Sequence, residues 1–226
     1  MQSGRQMILN FHGIGTPHAG VDAPERPYWV SEKQFIEIRD MVQRRDDADD
    51  ILWTFDDGNR SDLDVGAPAL AECGRKAIFF LLTGRFDDPN YLDHEQTRKL
   101  VAMGMAVGLH GRDHVDWRNA GSAQLDAETV DARNDLATVT GLPVDQVAIP
   151  FGAYNRRIIS HLVTCGFSKI NTSDGGPSWP DQRILSRTSV RCDMSLERVA
   201  ELIDDRLSPH RKLKRKVSIF LRRNVL

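Results

Sequence analysis

The chain has 226 residues, 40% hydrophobic and 27% charged, with a formal net charge of −2. This apolar content excludes disorder of the whole chain. The strongest apolar run, Ala77 to Leu82, is far short of the roughly 18 residues that a membrane span needs. The polar start, Met1 to Arg5, leads into an apolar stretch too short for a signal peptide. Three cysteines (Cys73, Cys165 and Cys192) without C-x-x-C spacing argue against a disulfide framework or a thiolate zinc site. A reducing, cytoplasmic setting is the expectation.

In chain order, short apolar runs alternate with amphipathic stretches. Strands are expected at 7–12, 51–55, 76–82, 106–109, 147–149, 168–171 and 184–189. Most are continuous apolar runs, as in parallel strands buried on both faces. Between them fall helices. Ser31 with Gln34 reads as a capping box opening a helix to about Arg44. Further helices are expected at 63–72, 93–103 and 123–140, each followed by glycine (Gly74, Gly104, Gly141). Asn155 and Ser195 read as caps of helices over 156–164 and 196–207. The alternation predicts a parallel α/β sheet with helices outside, and either an open sheet or a closed barrel fits it.

In both folds chemistry gathers at the C-terminal ends of the strands. His12 follows the first strand and Asp56-Asp57-Gly58 the second. His110 and His114 follow the fourth, Pro150-Phe151-Gly152 the fifth, and Arg187 lies on the last. The His110-x-x-x-His114 spacing would put both imidazoles on one face of a helical turn. One carboxylate and two imidazoles with open positions suit a catalytic divalent cation. Asp57, His110 and His114 supply that set, leaving Asp56 free as a base.

Thr54-Phe55-Asp56-Asp57-Gly58, then His110-Gly-Arg-Asp-His114, then Pro150-Phe151-Gly152, in this order, resemble the polysaccharide deacetylase superfamily (NodB-homology, carbohydrate esterase family 4). The resemblance extends over roughly residues 7–207. It implies a distorted (β/α)7 barrel and metal-dependent hydrolysis of an N-acetyl group from a sugar or polysaccharide precursor. It also implies Asp56 as general base, and Asp57, His110 and His114 as ligands of one divalent ion. That ion is zinc first, with cobalt, manganese or nickel as alternatives. The backbone N–H of Phe151 would help bind the oxyanion, next to Pro150.

The chain departs from the family pattern in places. Ala148 stands where Arg is common, Phe151 where Tyr is common, and no late histidine is evident near 184–190. His12 is assigned here as the acid, and Arg187 as the replacement partner of Asp56. Two other readings of the fold are a small-molecule amidase and a non-catalytic glycan-binding or scaffold protein. The long stretch 13–30 reads as a loop over the barrel mouth.

Charge is distributed unevenly. Seven basic residues and no acid lie beyond Pro209, leaving 23 basic and 32 acidic residues, net −9, on the rest. The chain therefore divides into a catalytic barrel over 1–208 and a basic amphipathic tail over 209–226. On a helix Leu213, Val217, Phe220 and Leu221 share one face. That face suggests contact with a membrane surface, and a peripheral place at an inner membrane, with no nucleic acid partner expected.

Overall fold

The computed structural model describes residues 4–224; the last two residues of the expected tail over 209–226 lie outside them. Strands β1 (Met7–Phe11), β4 (Ile51–Phe55), β5 (Ala77–Leu82), β6 (Ala106–Gly111), β7 (Gln146–Ala148), β8 (Lys169–Thr172), β9 (Ile184–Ser186) and β10 (Thr188–Ser189) form one sheet. Two further short strands, β2 (Gly13–Ile14) and β3 (Trp29–Val30), pair with each other at the base of a long loop. The main sheet runs in the order β10-β1-β4-β5-β6-β7-β8-β9, with every pairing parallel.

The two ends of that order belong to one segment. β9 and β10 are a single extended run interrupted at Arg187, where one strand over 184–189 was expected. Counted together they make seven strand positions, and the sheet curls into a nearly closed barrel. Closure decides between the open and closed alternatives in favour of the distorted (β/α)7 barrel.

Side-chain alternation divides each strand between the barrel interior and the helical layer. Phe11 and Trp53 face outward: Phe35 of α1 (Glu32–Gln43) packs edge-on against Phe11 at 5.1 Å. Phe11 also stacks on Trp53 at 5.6 Å, and Phe55 on Phe79 at 4.7 Å. Each such buried aromatic contributes about 1.5–3 kcal/mol by leaving water. The intervening residues Asn10 and Thr54 point inward, into a polar layer beneath the cavity.

The helices follow their caps. Ser31 accepts the Gln34 N–H at 3.1 Å. The Gln34 side chain does not return the bond; it donates instead to the carbonyls of Arg191 and Met194, tying α1 to the last barrel loop. The expected helix over 63–72 starts with a π-type turn at Asp62–Gly66 before α2 (Ala67–Glu72). Asp93 and Gln96 form a complete capping box for α3 (His94–Ala102). A π-type turn also joins α4 (Ser122–Asp126) to α5 (Ala132–Thr140). Asn155 caps α6 (Arg156–Thr164) and Ser195 caps α7 (Leu196–Ile203). α7 stops four residues before the expected end, because Asp205 takes a left-handed conformation (φ 53°). α8 (Pro209–Asn224) packs against α6.

Candidate active site

The two adjacent carboxylates sit in the turn that leaves β4. The Asp56 N–H donates to the Phe11 carbonyl at 2.8 Å, which continues the strand pairing by one residue. The chain then reverses through Asp57 (φ 77°) and Gly58 (φ 73°). This left-handed pair lets neighbouring side chains converge, which an extended strand would send to opposite faces. Both carboxylates are buried.

His110 lies inside β6, and its exact placement depends on a register shift. Leu81 pairs with Leu109 while Leu82 pairs with Gly111, so His110 is the extra residue. Such a bulge re-aims a side chain at the end of a strand. The helical turn expected over His110–His114 is absent. Gly111 (φ 103°) breaks the strand, and the Glu128 carboxylate accepts from the Arg112 N–H (2.9 Å), the Asp113 N–H (3.0 Å) and Trp117 Nε1 (3.3 Å). Two amides that a helix would turn towards its own carbonyls are thus fixed on a carboxylate. The loop then delivers His114 in a left-handed conformation (φ 56°).

The result is a convergent three-residue cluster. Nε2 of His110 and Nε2 of His114 face Asp57 Oδ1 at 3.4 and 3.5 Å. One ligand atom from each of Asp57, His110 and His114 lies within 4.8 Å of the others. The far nitrogen of each ring is anchored. His110 Nδ1 donates to the Ala148 carbonyl at 2.9 Å, and His114 Nδ1 stands 3.3 Å from Glu25 Oε1. These anchors place the Nε2 lone pairs towards the cluster centre, an arrangement usual around metal-bound histidine. Asp57 Oδ1 is buried without a hydrogen-bond partner. A buried carboxylate oxygen with no donor, faced by two oriented imidazoles, fits a divalent cation. Burial opposes the charge on Asp57, yet the surrounding imidazoles hold its pKa below the ordinary value. Burial likewise lowers His114, and Glu25 and Asp57 more than offset it, so that its pKa is raised.

Asp56 has different neighbours. Arg187 Nη1 and Nη2 reach its two oxygens at 2.6 and 2.8 Å, a bidentate pair wholly inside the protein. Asn10 Nδ2 donates to Asp56 Oδ2 at 2.8 Å. Asn10 Oδ1 in turn accepts from Arg187 Nη1 and Thr54 Oγ1, both at 2.8 Å. Burial works against ionisation, but Arg187 and then His110 outweigh it and hold Asp56 far below the usual carboxylate range.

His12 stands at the end of β1 with Nε2 4.0 Å from Asp56 Oδ2, its ring 4.9 Å from that of Tyr28. Burial pushes its pKa down, against the pull of Asp57 and Asp56, which favours the neutral ring. Pro150 is buried, whereas Phe151 is 57% exposed and left-handed (φ 59°), its ring 4.3 Å from His114. His12, Asp56, His110, His114 and Phe151 share a cavity of about 590 Å³ with Glu25 and Tyr28 of the long loop. All eight residues singled out in the sequence are therefore placed at one end of the barrel. Glu25, Asn10 and Glu128 were not singled out, and Thr54 opened the first motif without a role of its own. Glu25 lies in the loop expected over the mouth, but nothing in its neighbourhood marks it as the partner of His114. Trp117 is fully buried under the His110–His114 turn, where its ring supports Glu128.

Comparison with known proteins places the chain in a family. The polysaccharide deacetylase family model matches residues 43–170, more than half of the chain, and the chain belongs to that family. The YxkH protein of Bacillus subtilis (strain 168) is 23% identical over 141 residues, which cover 62% of this chain and 50% of the relative. The chain thus spans about half the length of that relative. The Bacillus cereus polysaccharide deacetylase BC0361 matches 88% of this chain and 69% of its own, with TM-score 0.75 and 19% identity. The Streptococcus pyogenes deacetylase PplD, solved in complex with acetate, matches 88% of this chain and 98% of its own, with TM-score 0.74 and 19% identity. At these identities the structural likeness is one of fold.

Proposed function

We propose that the chain is a metal-dependent hydrolase that removes N-acetyl groups from a sugar or polysaccharide precursor. The observation that carries this reading is the orphaned, buried Asp57 Oδ1 facing the two anchored imidazoles, with Asp56 fixed beside them. Asp57, His110 and His114 would hold one divalent ion, with zinc the first choice for a two-imidazole, one-carboxylate set. Such an ion polarises an acetyl carbonyl and makes water a stronger nucleophile near neutral pH.

The remaining work falls to side chains and backbone. Asp56, held in its charged form by Arg187, takes the proton of the attacking water. Its lowered pKa makes it a weak base, so it holds that proton only briefly. His12, neutral and 4.0 Å away, can receive the proton and deliver it to the departing nitrogen, which cannot leave as an amide anion. The backbone N–H of Phe151, in its left-handed turn, would serve as the oxyanion donor. The acetate found with the Streptococcus pyogenes deacetylase is the acid product that this reaction class would release. From the basic amphipathic tail we further read the chain as a peripheral enzyme at a membrane surface; no described helix is long and apolar enough to cross one.

The test is acetate release from N-acetylated oligosaccharides, with simple non-sugar amides in parallel. Asp56→Asn keeps the shape of the site and is expected to lower the rate by about 10²–10⁴. Cleavage of the simple amides alone would favour the amidase. Zinc binding without cleavage of either substrate would favour the non-catalytic reading.

A further inference from the structure

α8 is attached to the barrel the wrong way round for an ordinary surface helix. Its partly buried residues are Lys212, Arg215, Ile219, Arg222 and Arg223, a mostly cationic face. Lys212 and Arg215 each reach Asp205 at 3.0 Å. Arg222 pairs with Asp174 at 2.7 Å and Arg223 lies 3.7 Å from it. The Asp174 side chain is fully buried and accepts from Tyr154 at 2.6 Å, and the residue follows Ser173 of the cavity wall. Charged pairs therefore dock the helix, and its last turn is held at the cavity end of the barrel.

The opposite face is apolar and points to solvent. Leu213, Val217, Phe220 and Leu221 are 62%, 50%, 61% and 40% exposed, and their i, i+4, i+7, i+8 spacing makes one stripe. Lys214 and Lys216 flank the stripe on its two sides, with Arg211 farther round. These three cations have no ion pair among the described residues, and the helix carries no acid. An exposed apolar stripe of this kind marks an interaction site.

We propose that this stripe lies in the headgroup layer of an anionic bilayer, with Lys214 and Lys216 on the lipid phosphates, and that the ion pairs beneath it hold the catalytic cavity at that surface. This deepens the reading of the chain as a peripheral enzyme by naming its docking face and lipid class. Charge complementarity selects the occupant. A second copy of α8 would bring cations against cations with no acid to meet them, whereas an anionic surface satisfies apolar and charged residues together.

The test is co-sedimentation of the full chain with vesicles of phosphatidylcholine, with and without phosphatidylglycerol. Binding is expected only to the anionic vesicles, and salt should weaken it. Phe220→Asp should reduce partitioning by about tenfold or more, and Lys214→Gln and Lys216→Gln by about fivefold each. All three variants should hydrolyse a soluble N-acetylated oligosaccharide at the wild-type rate, which shows that they fold and keeps this test separate from that of the deacetylase. No binding to anionic vesicles would overturn the proposal. So would equal binding to neutral ones, or a dimer in sedimentation equilibrium that Phe220→Asp dissociates.

Discussion

Asp56 keeps its charge in a buried site because Arg187 meets both of its oxygens and Asn10 meets one. Removing one partner of such a pair strands a charge inside the protein. Arg187→Met is therefore predicted to cost about 3–5 kcal/mol in urea unfolding, and Arg187→Lys, which restores charge but not the fork, less. Unchanged unfolding of Arg187→Met would show that the pair contributes nothing. At this scale the sequence was partly legible. The absence of Arg at Ala148 pointed to a replacement elsewhere, and Arg187 lay on the last strand. Asn10 was silent, and Thr54 was read only as part of a motif, because their importance comes from a barrel interior that joins residues far apart in the chain. Glu25 and Glu128 were silent for the same reason: each supports a histidine turn only after folding brings it there.

Turns rather than strands decide where the ligands point. Three of the non-glycine residues with left-handed backbone, Asp57, His114 and Phe151, belong to the site. Such positions are strained, and no pattern of apolar residues announces them. This is why the strands of the main sheet were legible to within two residues at their ends, while the short β2 and β3 inside the expected loop were missed and the His110–His114 turn was misread as helical. Gly111 makes the point testable: a methyl group there would sit 2.7 Å from Glu128 Oε2 at φ 103°. Gly104→Ala is a control with a similar φ of 78° and open space around it. Gly111→Ala should cost about 1–3 kcal/mol and weaken zinc binding, and Gly104→Ala should carry the strain but leave zinc affinity unchanged. Equal zinc affinity in both variants would contradict the role given to this turn. The tail offers a second test at the same scale. Burial raises the pKa of Asp205, but Arg215 and Lys212 outweigh it and set the value below the ordinary 3.8. Its contribution to docking α8 is then complete above the ordinary value and lost as pH falls through the lowered one. Hydrogen exchange over residues 209–224 should accelerate at acid pH before the barrel strands do. Tail and barrel exchanging in step would show that Asp205 does not hold the helix.

Over the whole molecule, the closed sheet brings the ends of β1, β4, β6, β7 and β10 to one mouth, and this gathers residues spread from His12 to Ser189. The fold class was legible because buried parallel strands read as apolar runs, and seven of them alternate with helices. Closure was not, since an open sheet has the same alternation; it depends on one segment, 184–189, pairing with both β1 and β8. The acidic barrel and basic tail were visible as a charge asymmetry. That the cations would face inward, onto Asp174 and Asp205, was not, because both acids lie outside the tail. The reading of the mouth as a hydrolytic centre stands on a single cation held by three distant side chains. Calorimetric titration of the chelator-stripped chain with zinc tests it directly. The wild type is predicted to take up one ion per chain, with Asp57→Ala losing that binding while remaining folded by circular dichroism. Undiminished zinc uptake by Asp57→Ala, or none by the wild type, would contradict it.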